Sequence, residues 1–563
     1  MSKKIFYDED ARSRILGGAK ALYDAVKVTY GPKGRNVVIE KSYGGPTITH
    51  DGVTVAEAIE LANDDEATLG YKIGADLIKN AATKLNKVAG DGTTTVTVLT
   101  YSILAEANKL IAAGHNPMEI RKGIEGAGAE IVEALAAMAE DISSDNKRVA
   151  EVATISAGDA EIGELIAGVI SKIGKDGIVT VEAGQGLKME SEVVEGFSFD
   201  KGYVSSFFAT DMTRQEAIYE KPAILITDKK VSSVAELLPL LEKMAQAGKK
   251  DLVLIADEVE GEALSVLVLN KLKGVFNTLA LKAPAFGDRR KEILEDIAIL
   301  TGATVVSGDR GLKLEEVGLE ALGSAHKVIA TKDETTIIKG AGSSVDVDTR
   351  IAQIKTQASA ATSEYEKEQF EKRAAALLGK VAVIKVGGTT ETEIDEKKFR
   401  VDDAVAAVKA ALAEGVIAGG GVSLVNAADE MGEYPVGCKC SDDKCDGCGC
   451  CNAAVMAGRK VLRTALLAPF VQIMENAGLA SSVLLAKVRE NKGGFGVNVM
   501  NVEAGVVDLK KVGVVDPVKV AKEAVANAVS IAATAITMGA IVVDVPSTSE
   551  NVAPAMGGGM GMY

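Results

Sequence analysis

The sequence predicts a multi-domain α and α/β protein in which an α/β domain is inserted into a mostly helical outer region. Three observations predict this class. Apolar residues recur at helical spacing through most of the first 140 residues. Short apolar strands alternate with helices from about Glu195, and the helical pattern returns after Val401. A chain of 563 residues is also too long for one hydrophobic core.

The N-terminal region is predicted to be helical apart from one pair of strands. A helix over 8–29 ends at the breaker pair Gly31-Pro32. NVVIE then predicts a short strand, and GGPTITHDG predicts a turn that leads to a second strand. Two longer helices are predicted over 68–88 and 93–113, joined by the glycine-rich loop AGDG.

The middle region predicts a compact α/β unit. The apolar segments AILITD, DLVLIAD, LALKAP and ATVVSG alternate with helical sequence, and this pattern ends near Gly379. An alanine-rich helix that ends in AGGG follows over 401–421. Because helical sequence flanks the unit on both sides, we expect the N- and C-terminal regions to fold together.

Composition and charge exclude several classes of protein. The net charge of −16 argues against nucleic acid as a partner, because phosphate binding requires a basic surface. The apolar segment 524–543 is interrupted by Asn, Ser and Thr, so it predicts a buried helix followed by a strand rather than a membrane span. The N-terminal residues lack the apolar region of a secretory signal, and we expect a cytoplasmic protein without a membrane partner.

The segment VAGDGTTTVTVLT, residues 88–100, contains the clearest chemical signal. Gly90 and Gly92 allow backbone conformations that other residues avoid, and three threonines then begin a helix whose free N–H groups favour an anion. A carboxylate at Asp91 would be repelled there unless a divalent cation intervened, which indicates a phosphate site with Mg²⁺. The alternative is a threonine-capped helix after a glycine turn. The segment is not a P-loop, since no Gly-Lys-Ser/Thr follows.

Several longer motifs resemble the bacterial group I chaperonins, the GroEL type. The resemblance runs from about Ile5 to the C-terminus, and its motifs occur in the family's order. These motifs are AGDGTTT, TYGPKGRNVVIEKSYGGPTITHDG, EGVIAGGG, KAPAFGDRRKEILEDIAILTGATVVS, GVN, VDP and the Gly-Met tail.

The resemblance implies an ATP-driven folding chamber, a homo-oligomeric ring of the double-heptamer kind that binds non-native polypeptides and a co-chaperonin lid. It also implies an ATPase of the isomerase class that uses Mg²⁺ and K⁺. The implied domains are equatorial (1–137 and 414–550), intermediate (138–194 and 382–413) and apical (195–381), followed by a disordered Gly-Met tail (551–563).

The resemblance further implies the residues of a nucleotide site. Asp51 and Asp403 are the implied catalytic residues, and Asp403 would orient the attacking water. Asp91 would also hold Mg²⁺. The implied phosphate-end residues are Thr29, Tyr30, Gly31, Pro32, His50, Asp91, Gly92, Thr93, Thr94 and Thr95, and the implied adenosine-end residues are Gly420, Asn498, Val499, Met500 and Asp516.

Two predicted helices of the middle region, SSVAELLPLLEKMAQAG and EGEALSVLVLNKLKG, carry apolar residues on more than one face. Such a helix is either wholly buried or presents its second face to a partner. The resemblance favours a partner, because the family captures non-native chains with these helices. The implied client-binding residues are Tyr203, Phe207, Phe208, Leu238, Leu241, Leu264, Val268 and Leu269.

The chain departs from the family at the nucleotide site. His50 occupies a position where lysine is usual, which reduces positive charge near the phosphates at neutral pH. Tyr30 replaces a common leucine. Val499 and Met500 replace two alanines, so we expect a tighter adenine pocket. None of these changes removes a carboxylate or threonine of the implied site, and we expect hydrolysis to persist.

A cysteine-rich insert, residues 437–451, is a further departure. Its spacing resembles a thiolate cage for Zn²⁺ or a similar soft metal. Reversible disulfides and a functionally silent loop are alternatives. A soluble metal-binding or redox protein is therefore the rival function, and a monomeric kinase is a second rival that lacks a substrate-pocket signature. The insert contains every cysteine of the chain: Cys438, Cys440, Cys445, Cys448, Cys450 and Cys451.

Overall fold

The structure is a computed structural model. It describes residues 2–40, 46–62, 65–143, 145–174, 177–184, 186–212, 214–308, 310–361, 363–432, 452–491 and 493–545. The six cysteines and the predicted tail, 551–563, lie outside the described residues, so the predictions for them stay untested.

The chain forms two compact units. Unit 1 contains residues 1–168 and 387–563, and unit 2 contains residues 169–386. Unit 2 therefore interrupts unit 1 in sequence. The predicted fold class, multi-domain with helical and α/β parts, is confirmed. The finer division into equatorial, intermediate and apical segments stays a prediction.

The N-terminal part of unit 1 is mostly helical, as predicted. The helix predicted over 8–29 ends earlier, at Val26, because Lys27–Thr29 forms a 3-10 turn. The elements here are strands β1 (Ser2–Tyr7), β2 (Val37–Ile39) and β3 (Thr47–Thr49) and helices α1 (Asp8–Val26), α2 (Gly52–Ala58), α3 (Tyr71–Ala89), α4 (Thr93–Ala112), α5 (Pro117–Ala137), α6 (Asn146–Ala157) and α7 (Ala160–Ile173), the last of which crosses the boundary between the units.

Unit 2 contains the predicted alternation of strands and helices. Its strands are β4 (Ile178–Ala183), β5 (Glu190–Phe199), β6 (Ala217–Glu220), β7 (Ala223–Thr227), β8 (Lys230–Val231), β9 (Asp251–Ala256), β10 (Glu258–Val259), β11 (Asn277–Lys282), β12 (Val305–Val306), β13 (Gly323–Ala330), β14 (Thr335–Gly340) and β15 (Lys380–Val386). Its helices are α8 (Leu238–Gln246), α9 (Gly261–Leu272), α10 (Gly287–Thr301), α11 (Ser344–Ala360) and α12 (Glu364–Leu377).

One mixed sheet organises unit 2. Its strand order is β11-β9-β7-β13-β14-β5-β15-β4, with β12 on β7 and β6 on β13. The segments β11, β9, β7 and β12 pair in parallel, and all five residues of β7 are buried. Parallel strands that are covered on both faces have continuous apolar sequences. This explains why the apolar segments AILITD and DLVLIAD predict strands.

The C-terminal part of unit 1 returns to helices. Its helices are α13 (Glu391–Glu414), α14 (Val422–Glu430), α15 (Ala453–Ala465), α16 (Ala468–Asn476), α17 (Ser481–Glu490) and α18 (Val518–Ala535). Its strands are β16 (Val416–Ala418), β17 (Phe495–Val497), β18 (Val506–Asp508), β19 (Val515–Pro517) and β20 (Ala540–Val545).

The ends of the described chain meet within unit 1. Strand β20 pairs antiparallel with β1, from Ser2 opposite Val545 to Tyr7 opposite Ala540. The apolar segment 524–543 is thus a helix followed by a strand, as predicted. Among the described residues, no helix combines the length and apolar character that a membrane crossing requires.

Glycine and alanine allow the helices of unit 1 to pack closely without large aromatic residues. A Cβ atom on Gly123 would lie 2.0 Å from the Val455 carbonyl oxygen, and one on Gly458 would lie 2.2 Å from the Ile120 oxygen. Helices α5 and α15 therefore touch backbone to backbone. This close packing fits a chain in which aromatic residues make up only 4%.

Candidate functional site

The loop between α3 and α4 requires both of its glycines. Gly90 and Gly92 have φ angles of 70° and 83°, in the left-handed region. A Cβ atom on Gly90 would lie 2.1 Å from the Ala406 Cβ of α13, and one on Gly92 would lie 2.5 Å from Val520 Cγ1. These glycines let α13 and α18 approach the loop. The first backbone N–H groups of α4 follow the loop directly, and such groups have no carbonyl partner within their own helix.

Asp51 lies against the first turn of α4. Its carboxylate caps α2 by accepting hydrogen bonds from the Val53 amide (3.1 Å) and the Thr54 amide (2.8 Å). A Cβ atom on the adjacent Gly52 would lie 2.3 Å from Thr94 Oγ1. The start of α2, next to Asp51, therefore touches the start of α4.

Asp91 is held by two hydrogen bonds. It accepts one from the Gly92 amide (2.5 Å) and one from Ser156 Oγ (3.1 Å). Burial raises the pKa of the Asp91 carboxyl, these hydrogen bonds oppose the rise, and the charge of Asp51 adds to it. Ser156, on α6, was missed by the sequence analysis, since a serine near a helix end carries no signal of its own.

Asp403 lies on α13 and is half-buried. Burial raises the pKa of its carboxyl well above the ordinary value, and the negative charges of Asp51 and Asp91 raise it further, with a smaller contribution from Asp402. The predicted catalytic aspartates therefore do converge on the loop that holds Asp91.

This cluster of carboxylates suits a magnesium ion. Like charges that raise one another's pKa are stabilised by a cation, and Mg²⁺ is commonly held by one or two carboxylates together with phosphate oxygens and water. Within the described parts of the chain, no three His, Cys, Asp or Glu side chains are arranged to hold a metal by themselves.

Asp516 joins the cluster from the predicted adenosine end. It lies on β19, opposite Ile417 of β16, and its Oδ1 would be 2.9 Å from a Cβ atom on Gly419. Burial and the charge of Asp91 raise the pKa of Asp516 to about 7, against a hydrogen bond from the Gly420 amide. The strand pair β16–β19 thus brings Asp516 and Gly420 together.

The other predicted adenosine-end residues lie after β17. Asn498 Oδ1 accepts a hydrogen bond from the Met500 amide (3.0 Å). Val499 is buried in an apolar cluster with Val422 and Leu509, whereas Met500 is 64% exposed. Their contact with an adenine ring stays a prediction.

The predicted phosphate loop, residues 29–32, lies beside α16 and α4. Thr29 is buried and donates its hydroxyl to the Val26 carbonyl (2.9 Å). Gly31 has a φ of 80°, and its Cβ would lie 3.2 Å from Ile473. The Tyr30 hydroxyl lies 2.8 Å from Thr95 Oγ1, so this departure from the family's leucine reaches a predicted phosphate residue.

His50 carries little positive charge at neutral pH. Burial lowers the pKa of its imidazole, the positive charge of Arg400 lowers it further, and the carboxylates of Glu396 and Asp51 oppose the shift. The lowered pKa of His50 is therefore in line with the reduced positive charge expected from histidine in place of lysine.

The predicted client surface is only partly exposed. Phe207, Leu238 and Leu269 are 57%, 47% and 48% exposed. Leu264 and Val268 are half-buried against the core of unit 2. The side chains that are buried in that core are Tyr203, Phe208 and Leu241, so their inclusion in an exposed surface is corrected.

For Leu241, the correction concerns the buried face of α8. Only Leu238–Gln246 is α-helical, and Val234–Glu236 before it forms a 3-10 turn. The buried residues are Leu237, Leu240, Leu241 and Met244, whereas Leu238 is exposed. On α9, Leu272 is 67% exposed and extends the surface beyond the predicted residues.

Lys271 connects the two exposed parts of this surface. Its ammonium group donates to the carbonyl oxygens of Phe207 (3.1 Å) and Ala209 (2.9 Å). Desolvation lowers the pKa of Lys271 to about 8. Helix α9 is thereby tied to the 3-10 turn Ser206–Phe208 that presents Phe207.

A comparison with protein-family models finds a match over most of the chain. The model described as the TCP-1/cpn60 chaperonin family matches residues 22–546. The carboxylate cluster and the apolar surface of unit 2 both lie inside this range.

Proposed function

The chain belongs to the TCP-1/cpn60 chaperonin family, and on that premise we propose that it is an ATP-driven chaperonin of the bacterial group I type. Family membership establishes a chaperone role in protein folding and implies, in general, hydrolysis of ATP with Mg²⁺. The observation that supports the finer proposal is that Asp51 and Asp403 lie on helix ends and helices that touch the Asp91 loop and α4, through the contacts of Gly52 with Thr94 and of Ala406 with Gly90.

The proposed site binds both the phosphate end and the adenosine end of ATP. The N-terminal amides of α4 and the threonines Thr93–Thr95 bind the phosphates, because a helix start favours an anion. The pocket around Gly420, Asn498 and Asp516 receives the adenosine. Magnesium, when bound beside Asp91, would neutralise phosphate charge and make the terminal phosphorus more electrophilic.

In this proposal, Asp403 orients the water molecule that attacks ATP. A magnesium ion bound in the site would lower the pKa of the Asp403 carboxyl, which is raised in the ligand-free protein, and would leave that carboxyl ionised. The ionised carboxylate accepts a hydrogen bond from a water molecule and orients that water for attack on the terminal phosphorus. Asp51 fixes the start of α2 against Thr94 and adds to the negative charge that a cation offsets.

Client capture is assigned to the apolar surface of unit 2. Phe207, Leu238, Leu269 and Leu272 offer apolar area to water, and burial of such area against a non-native chain is favourable and non-directional. The surface can therefore bind many unrelated sequences. A homo-oligomeric double heptamer and a co-chaperonin lid belong to the same proposal, by resemblance to the group I family.

The direct test uses the unchanged protein and Asp403→Asn. We expect a ring of megadalton mass by native mass spectrometry and slow Mg²⁺-dependent ATP hydrolysis. Asp403→Asn should retain ATP binding by calorimetry but hydrolyse ATP about 100-fold more slowly, since it loses the group that orients water. Full hydrolysis by Asp403→Asn, or a monomer that ignores ATP, would contradict the proposal. The cysteines on which the rival metal-binding or redox function depends lie outside the described residues, so that function stays a prediction.

A further inference from the structure

We propose that Asn476 and Tyr30 are positioning residues that set the geometry of the phosphate site through one hydrogen-bonded path from α16 to α4. The inference rests on the proposed nucleotide site and adds residues that hold it in shape. Asn476 and its neighbour Gln472 are not among the residues that the motifs indicate.

The path begins inside unit 1, where each amide fixes the orientation of the next. The Tyr23 hydroxyl donates to Gln472 Oε1 (3.0 Å), and Gln472 Nε2 donates to Asn476 Oδ1 (2.9 Å). Gln472 is 6% exposed, and the Tyr23 ring stacks on Tyr101 with centroids 4.3 Å apart. The Asn476 side chain is thus oriented with its Nδ2 group toward the phosphate loop.

Asn476 uses both hydrogens of that group on the loop. Nδ2 donates to the carbonyl oxygens of Lys27 (2.8 Å), the first residue of the 3-10 turn, and Tyr30 (2.9 Å), which directly follows it. Ile473, one helical turn earlier on α16, packs against Gly31. Helix α16 therefore holds residues 27–31 by a polar and an apolar contact together.

Tyr30 extends the path from the loop to α4. Its ring packs against the apolar cluster that contains Val499, and its hydroxyl lies 2.8 Å from Thr95 Oγ1. Burial and the charges of Asp516 and Asp91 raise the pKa of Tyr30, although the Thr95 hydrogen bond opposes this, so the phenol stays protonated.

The protonated phenol can donate to Thr95 and leave the threonine hydroxyl hydrogen free for a phosphate oxygen. A donor whose oxygen is already engaged is held in place before the ligand arrives, which reduces the entropy lost on binding. The commoner leucine at this position would keep apolar contacts but could not orient Thr95. The tyrosine therefore links the adenosine and phosphate ends of the site in this chain.

The test compares Tyr30→Phe, Asn476→Asp and the control Asn491→Asp in the full-length protein. Asn491 is exposed and donates its side-chain amide to the Lys487 carbonyl (2.9 Å), so its change is chemically matched. Loss of one hydrogen bond predicts about five-fold weaker Mg-ATP binding by calorimetry for Tyr30→Phe, and loss of both Nδ2 hydrogen bonds predicts about ten-fold weaker binding for Asn476→Asp. The control should bind like the unchanged protein.

Two further measurements separate positioning from general stability. Without nucleotide, amide hydrogen exchange over residues 27–36 should accelerate in Asn476→Asp but not in Tyr30→Phe. KM for ATP should rise in both variants while kcat stays within about two-fold, because a binding contact shared by ground and transition states is lost. A double-mutant cycle of Tyr30→Phe with Thr95→Val should show coupling of about five-fold.

Additive effects in the cycle, or Tyr30→Phe with unchanged ATP affinity, would overturn this inference while leaving the proposed function intact. If Asn476→Asp does not fold, the cycle with Thr95→Val still decides the Tyr30 contact. Absence of ATP binding by the unchanged protein would overturn the proposed function and this inference together.

Discussion

At the scale of single residues, the charge of Asp91 adds to the effect of burial on two other carboxyls of the site. Its negative charge contributes to the raised pKa of both Asp403 and Asp516. Carboxylates placed this way destabilise the ligand-free protein once they ionise. Such strain is typical of a site that awaits a cation.

Replacement of Asp516 by asparagine tests how much the ionised carboxylate destabilises the ligand-free protein. The folded-state pKa of Asp516 is about 7, whereas an unfolded aspartate titrates near 4. Between these values the unfolded chain binds fewer protons than the native state, so the free energy of unfolding falls as the pH rises. In urea unfolding without nucleotide, Asp516→Asn should match the unchanged protein at pH 4 and exceed it at pH 8 by up to about 4 kcal/mol.

The exposed Glu430 of the same unit provides the control for this measurement. Glu430→Gln should show no such gain at high pH. Equal stability of Asp516→Asn and the unchanged protein at pH 8 would show that Asp516 does not ionise at a cost.

At the scale of elements, the contact between Gly90 and α13 positions the proposed catalytic residue. Helix α13 carries Asp403 and approaches the loop closely enough that any side chain at Gly90 would collide with Ala406. The placement of Asp403 therefore depends on a residue with no side chain.

A glycine-to-alanine pair isolates this effect. Gly90 and Gly158 both have φ near 70° (70° and 65°), but no atom lies within 4 Å of a Cβ on Gly158. Gly158→Ala should cost about 1 kcal/mol of stability through the left-handed backbone alone. Gly90→Ala must also displace α13, so it should cost more and reduce ATP hydrolysis at least about ten-fold. Similar ATPase rates for both variants would contradict this role of Gly90.

At the scale of the whole molecule, the two proposed activities lie in different units. The carboxylate cluster lies in unit 1 and the apolar surface in unit 2, and the chain passes between the units near residues 168 and 387. In our proposal, nucleotide binding changes the population of capturing molecules, because a ligand with unequal affinity for two states shifts their equilibrium.

Client capture can be tested by replacing two exposed apolar residues of unit 2, one inside and one outside the proposed surface. Leu269→Ser should weaken protection of a denatured client against aggregation several-fold, since about 1.5–3 kcal/mol accompanies burial of such a side chain. Val345, 69% exposed on α11, lies outside the proposed surface, and Val345→Ser should protect like the unchanged protein. Light scattering without nucleotide measures the difference; equal loss in both variants would remove α9 from the client surface.

Elements whose signals are local could be predicted from the amino-acid sequence. Glycine breakers and helical periodicity located α3 and α4 to within three residues, and buried apolar runs located β7, β9 and β11. The AGDGTTT segment, read together with the family resemblance, located the carboxylates of the candidate site. These features need only neighbouring residues to be recognised.

The tertiary structure alone decided which side chains meet and which are covered. Leu241 and Leu238 look equivalent in sequence, yet in α8 Leu241 is buried and Leu238 is exposed. Ser156 and Asn476 reach the site from helices far away in the chain. The physical reason is that burial and hydrogen bonding depend on three-dimensional neighbours, which residue spacing along one helix does not specify.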